Sequence, residues 1–154
     1  MKIVIHKSER LLTACEGGRE VFRCSVQLGA APVGQKRAEG DGRTPEGRFY
    51  VCTKNPQSKF HLALGVSYPD EPCAKAALLE GRIGPEQYAA VAKAQRERKR
   101  PPWDTPLGGF IMLHGEHPEG KTGDWTAGCV AMRNGEIERL FALAQLGDEI
   151  EILP

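Results

Sequence analysis

Long apolar runs are missing from this 154-residue chain. Its apolar stretches, such as "FIMLH" at 110–114, fall far short of the roughly 20 residues that a membrane-spanning helix needs. Charge of one sign is missing too. Lys and Arg number 21 and Asp and Glu 20, so a formal net charge of +1 gives no global field for nucleic acid or an anionic membrane. The five cysteines (Cys15, Cys24, Cys52, Cys73 and Cys129) are odd in number and form no CxxC pair, which argues against a disulfide framework and a zinc site. In "MKIVIHKSERLL" the apolar stretch Ile3–Ile5 is too short for a signal-peptide core, and no small-residue cleavage site follows. That reading leaves either a cytoplasmic protein or one whose leader has been removed.

Glycine (18) and proline (11) are abundant, which implies many turns and a β-rich chain. "KIVIH", "RLLTAC" and "EVFRCSV" read as a strand meander, with Phe22, Cys24 and Val26 sharing one face. Residues 28–47 are glycine-rich and without periodicity, hence a long loop. "RFYVCTK", "HLALGVS", "FIMLH" and "DEIEIL" read as further strands. Between them, residues 73–100 are helical by propensity, opened a second time by Pro85 and stopped by Pro101-Pro102. The basic end "RERKR" reads as a solvated helix terminus. Asn134 is placed to cap a last helix whose Ile137, Leu140, Phe141 and Ala144 follow helical spacing. The expectation is one mainly β (α+β) domain over residues 1–154, with a helical insertion at about 73–100 and a C-terminal helix.

Four cysteines look like small core hydrophobes or unpartnered thiols. Cys129 differs, because it follows Gly128 at the end of a Trp-Thr-Ala-Gly turn and lies fifteen positions after His114. A thiol becomes a strong nucleophile only as thiolate, and an imidazole within reach can take its proton. Backbone amides of Ala127, Gly128 and Cys129 could then stabilise an oxyanion. The plain reading, a core histidine and an inert buried thiol, is the commoner case on spacing alone.

Several motifs in order shift that balance. His114-Gly115 followed by "TAGCV" (Thr126 to Val130) resembles the signature of the L,D-transpeptidase catalytic domain, the YkuD-like family. "GDGRTPEGRFYV" (Gly40 to Val51), "SYPD" (Ser67 to Asp70), "LGGFIMLHG" (Leu107 to Gly115) and "DWTAGCVAMRN" (Asp124 to Asn134) resemble its YafK-like murein subgroup. The resemblance covers nearly the whole chain, less securely over residues 73–105, and implies a YkuD-like β-sandwich.

It also implies a chemistry. Cys129 would attack the carbonyl of the third residue of a peptidoglycan tetrapeptide stem, and His114 would act as general base and then acid. The thioester would pass to an amine or to water, with no metal or organic cofactor. Trp125, Thr126, Arg133 and Tyr68 are candidate substrate contacts. Peptidoglycan stems are the expected partner, with neither nucleic acid nor a membrane span. A monomer is the default state, and the cell envelope the location the family implies. A silent peptidoglycan-binding module and a cytoplasmic thiol hydrolase of soluble muropeptides are the other readings. Two positions depart from the family pattern: Ala127 stands where many members have histidine or arginine, and Ala131 where many have arginine. The second removes a natural partner for a stem carboxylate.

Overall fold

The computed structural model describes all 154 residues. Strands β1 (Lys2–His6), β2 (Leu11–Glu16) and β3 (Arg19–Ser25) form the expected meander. Their alternation does what period 2 requires: Ile3, Ile5, Leu12, Ala14, Phe22 and Cys24 all point inward and are buried. β4 (Gly47–Ser58) and β5 (His61–Val66) form an antiparallel pair. The short β6 (Met112–His114) and β7 (Val130–Ala131) and the final β8 (Glu149–Leu153) complete one eight-stranded sheet in the order β3-β2-β1-β8-β4-β5-β6-β7.

The long strand β4 makes the sheet curl. Residues Gly47–Tyr50 pair with β8, whereas Val51–Ser58 pair with β5 through register shifts. One strand thus serves both halves, and their inner faces close on a shared core of 22 buried residues. The chain adopts the mainly β, three-helix architecture expected of it, and the two layers of the sandwich are halves of one curled sheet. Its outer ends also meet: Gln27, just past β3, exchanges both backbone hydrogen bonds with Ala131 of β7 at 2.8 Å each.

Helix α1 (Glu71–Leu79) begins two residues before the expected start, because Asp70 Oδ1 accepts the Cys73 N–H at 3.0 Å and Pro72 fits the first turn. Helix α2 (Pro85–Glu97) ends before the expected position 100. Arg98 takes a left-handed conformation (φ 53°), and the Lys99 N–H returns to Ala94 O, so the basic run unwinds ahead of Pro101. The two helices and the following segment bury a small second cluster of Ala74, Ala77, Ile83, Val91 and Leu107. Gln95 Nε2 fastens them to the sheet through Ser67 O and Pro69 O. Helix α3 (Asn134–Leu143) drives Ile137 and Leu140 into the main core. Its N-cap is Arg133, whose N–H is taken by the Glu136 carboxylate. The expected cap, Asn134, instead accepts the Glu116 N–H through its side chain. No helix is long and apolar enough to cross a membrane.

Candidate active site

β6 and β7 run parallel, with Leu113 opposite Val130 and His114 opposite Ala131. Leu113 and Val130 face the core and are fully buried. Alternation therefore puts Met112, His114, Cys129 and Ala131 on the other face, with Cys129 opposite Met112 and so two residues from His114 in register. Strand geometry sets their Cα atoms about 8 Å from each other. Two motifs fifteen residues apart in sequence thus become diagonal neighbours on one surface.

The Cys129 sulfur sits between two backbone groups of the incoming strand. Its S–H donates to Phe110 O at 3.3 Å, and the Met112 N–H donates to the sulfur at 3.3 Å. Burial pushes the thiol up to about 11, while the Met112 amide and the charge of Lys36 pull the other way. The resting cysteine is therefore a thiol. It makes no hydrogen bond to His114.

His114 is 2% exposed and stacks on Phe60 at 4.4 Å between ring centroids, with Trp125 at 5.6 Å. Its Nδ1 lies 2.8 Å from Gly115 O. A carbonyl only accepts, so Nδ1 carries the proton and Nε2 carries the free lone pair. No sealed side-chain nitrogen in the protein lacks a partner, so the unbonded Nε2 is the part of the ring that opens outward. Burial lowers the imidazole pKa, partly opposed by the Gly115 carbonyl. A neutral base of fixed tautomer thus lies on the same sheet face as the thiol.

The turn before the cysteine is held by Thr126, which is buried. Its hydroxyl donates to Cys129 O at 2.7 Å and accepts the Gly128 N–H at 3.1 Å. This corrects one expectation: the Gly128 amide is occupied and cannot serve an oxyanion. The Ala127 and Cys129 amides have no acceptor within the chain and remain available. Gly128 is needed for shape instead. Its φ is +143°, and an added Cβ would lie 2.7 Å from Arg43 O.

Two lysine-centred networks shape the loop 28–47 behind this turn. Lys7 Nζ gathers Gly34 O, Thr44 O and Glu46, and Lys36 Nζ gathers Ala38 O and Asp41. Both lysines are buried. Burial raises the Asp41 carboxyl, but the Arg37, Arg43 and Ala38 amides and Lys36 overcome this and bring it down to about 2. On the other flank Asp124 accepts from Arg10 and from the Leu28 N–H, which fixes the approach to Trp125.

Among the other sequence candidates, Trp125 is half-buried, donates to Gln27 Oε1 at 2.7 Å and walls the His114 side with Phe60 and His117. His117, on the loop after Gly115, packs edge-on against that indole. Arg133 is exposed and, with Ala131 and Gln27, lines a cavity of ≈ 440 Å³. Tyr68 does not reach a cleft. It is 1% exposed and its hydroxyl donates to Leu107 O at 2.8 Å, so it is a core residue that offers no surface to a substrate. Phe60 went unremarked in the sequence, and Phe110 was read only as the first residue of the strand "FIMLH". The two glycines before Phe110 were the available hint.

The helical insertion touches this region through its return leg. Trp103 lies under Phe110 at 4.7 Å, and Phe110 carries the carbonyl that accepts the thiol's hydrogen bond.

The model of the L,D-transpeptidase catalytic domain family, YkuD, matches residues 1–152. Among solved structures, the helical cell shape determining protein Pgp2 from Campylobacter jejuni superposes with a TM-score of 0.67 at 21% identity, over 98% of this chain and 46% of that one. Bd1075 from Bdellovibrio bacteriovorus gives 0.58 at 22% identity, over 98% and 46%. L,D-transpeptidase 1 from Mycobacterium tuberculosis gives 0.56 at 13% identity, over 99% and 60%. The chain thus spans about half the length of the first two. No curated protein matches it. With a family model matched almost end to end, the chain belongs to the YkuD family of L,D-transpeptidase catalytic domains.

Proposed function

We propose that the protein acts on peptidoglycan peptide stems as a cysteine-dependent L,D-transpeptidase or L,D-carboxypeptidase. The observation that carries this reading is that Cys129 and His114 lie two residues apart in register on one sheet face, with His114 Nε2 unbonded. A substrate carbonyl enters beside the sulfur, and the thiol leaves Phe110 O as its proton passes to Nε2. The sulfur forms a bond to the carbonyl carbon, and the oxygen takes the electron pair and is met by the Ala127 and Cys129 amides. Collapse expels the terminal D-alanine, whose amine takes the proton back from the imidazolium. A thioester remains on Cys129. Water or an amine then attacks it, His114 receives that nucleophile's proton, and the thiol is restored.

Ala131 leaves no guanidinium at the place where many family members have one, so a stem carboxylate has to be met by a cation elsewhere, either Arg133 in the neighbouring cavity or a basic residue of the 96–100 run. The loss of that fixed contact leans the reading toward hydrolysis of peptidoglycan stems, whether the carboxylate is free or amidated. Such a substrate places the work in the cell envelope. Trimming or linking stems there changes how the wall bends, which is consistent with the role that the name of Pgp2 gives to that protein.

One observation favours a second reading. The thiol donates its hydrogen bond to Phe110 O and not to the imidazole, as suits a silent, stem-binding module of the same fold. Incubation with purified tetrapeptide muropeptides, followed by mass spectrometry, separates the two. An enzyme yields tripeptide or cross-linked product, yields none after Cys129→Ala, and gains the mass of a carbapenem on Cys129. Intact tetrapeptide together with unlabelled Cys129 sinks the enzymatic reading.

A further inference from the structure

Phe110 is out of place for an ordinary strand residue. Its side chain is 61% exposed, although it immediately precedes the buried Ile111. Its backbone is left-handed, φ 55°, a conformation that costs a bulky non-glycine residue stability. Nothing in the core repays that strain, because the ring faces solvent. The strain does fix two things. It aims the Phe110 carbonyl at the Cys129 sulfur, 3.3 Å away, and it turns the ring out to solvent.

The ring has a built seat. Trp103 is 6% exposed, donates its indole N–H to Tyr68 O at 3.0 Å and meets Phe110 at 4.7 Å between centroids. Gly109 makes this approach possible, since a Cβ there would run into the Trp103 ring. The Arg100 guanidinium lies 4.9 Å from the centre of the same indole. Arg100 is exposed and has no carboxylate within 4.0 Å. Cation–π contact orients such a guanidinium while leaving its N–H donors free. An exposed apolar ring, on the residue whose carbonyl meets the sulfur, and a free, oriented cation therefore share one aromatic base.

We propose that Phe110 and Arg100, both seated on Trp103, form the specificity-determining subsite for the acyl donor: the ring packs on the methylene side chain of the residue that is attacked, and the guanidinium takes a free carboxylate of the same stem. This rests on the peptide-stem reading above and identifies which part of the stem the return leg of the helical insertion recognises. It also gives the chain a cation in place of the arginine that Ala131 lacks.

The test uses binding, so that it does not depend on turnover. In a Cys129→Ala background, titration calorimetry with a free-acid tetrapeptide stem measures Kd directly. Phe110→Gly is expected to weaken binding about tenfold or more while Tm holds or rises, because the ring goes and the left-handed strain goes with it. Phe110→Asn, which also tolerates that backbone, is expected to do the same. Arg100→Gln is expected to weaken the free acid about tenfold and leave a side-chain-amidated stem unchanged. Kd values unaltered by Phe110→Gly and Phe110→Asn, or an Arg100→Gln loss equal for both stems, overturn the subsite. Wild-type turnover is scored separately. A protein that binds as expected but never turns over keeps the subsite and loses the enzymatic reading, and the converse pattern does the opposite.

Discussion

The Thr126 hydroxyl donates to the carbonyl of Cys129, 2.7 Å away, and so ties the residue that carries the sulfur to the start of its own turn. The same oxygen accepts the Gly128 N–H. Thr126→Val keeps the shape and removes both bonds, leaving a buried amide without a partner, which costs about 1–3 kcal/mol. Turnover is expected to fall at least about tenfold as the sulfur loosens. Thr126→Ser is expected to restore most of both, and chemical denaturation run beside kinetics checks the pair.

Gly128→Ala meets two obstacles, a φ of +143° and the Arg43 carbonyl 2.7 Å from the new Cβ. That carbonyl is backbone and cannot swing aside. A loss of about 2 kcal/mol or more is expected, with slower carbapenem labelling of Cys129. Equal Tm and labelling in wild type and variant would contradict the geometry.

The two titrating groups set a broad pH window. Burial holds the His114 pKa below its usual 6.5, so base function is expected to fail only on the acid side of that value. The Cys129 thiol, pushed up to about 11, is expected to set the alkaline side. The plot of kcat/KM against pH should therefore show a long plateau through neutrality. Alkylation of Cys129 by iodoacetamide should keep rising toward pH 11, where a preformed thiolate–imidazolium pair would level off near neutrality. Burial of neutral His114 also means that stability falls as pH drops from 6.5 toward its lower folded pKa, because the unfolded chain binds that proton first.

Asp41 gives the loop 28–47 a separate acid limit. Its carboxyl falls from 3.8 in a free chain to about 2 here, so ionised Asp41 contributes about 2 kcal/mol above pH 4. That contribution is expected to vanish between pH 4 and 2. Asp41→Asn should be destabilised at neutral pH and match the wild type at the acid end, as acid-unfolding curves of both would reveal.

Much of the fold was readable because alternation and helical spacing are local properties. Ile3 and Ile5, Phe22 and Cys24, and Ile150 and Ile152 announce their faces without any knowledge of their partners. Cys129 and His114 were found by motif, yet their shared face depends on the register of a two-residue strand that no window of sequence displays. Lys7 and Lys36 look like surface residues and are buried, because backbone carbonyls from a loop without periodicity replace their water. Asn134 looks like a helix cap and is instead claimed by Glu116, a partner eighteen residues away. Tyr68 was misjudged for a related reason: "YPD" is a good turn in isolation, and only packing shows that the ring lies beneath it.

The pairing of Gln27 with Ala131 closes the outer side of β7, whose inner side already belongs to β6. Proteins that grip extended peptides often do so by letting the peptide add a strand to an open sheet edge, which supplies backbone affinity regardless of sequence. That route is shut at β7. A peptide brought to Cys129 has to come down onto the sheet face and be held by side chains and the few free loop amides. Recognition then depends on what the peptide's own side chains are, and a chain of the wrong composition finds no generic backbone rail to follow to the sulfur.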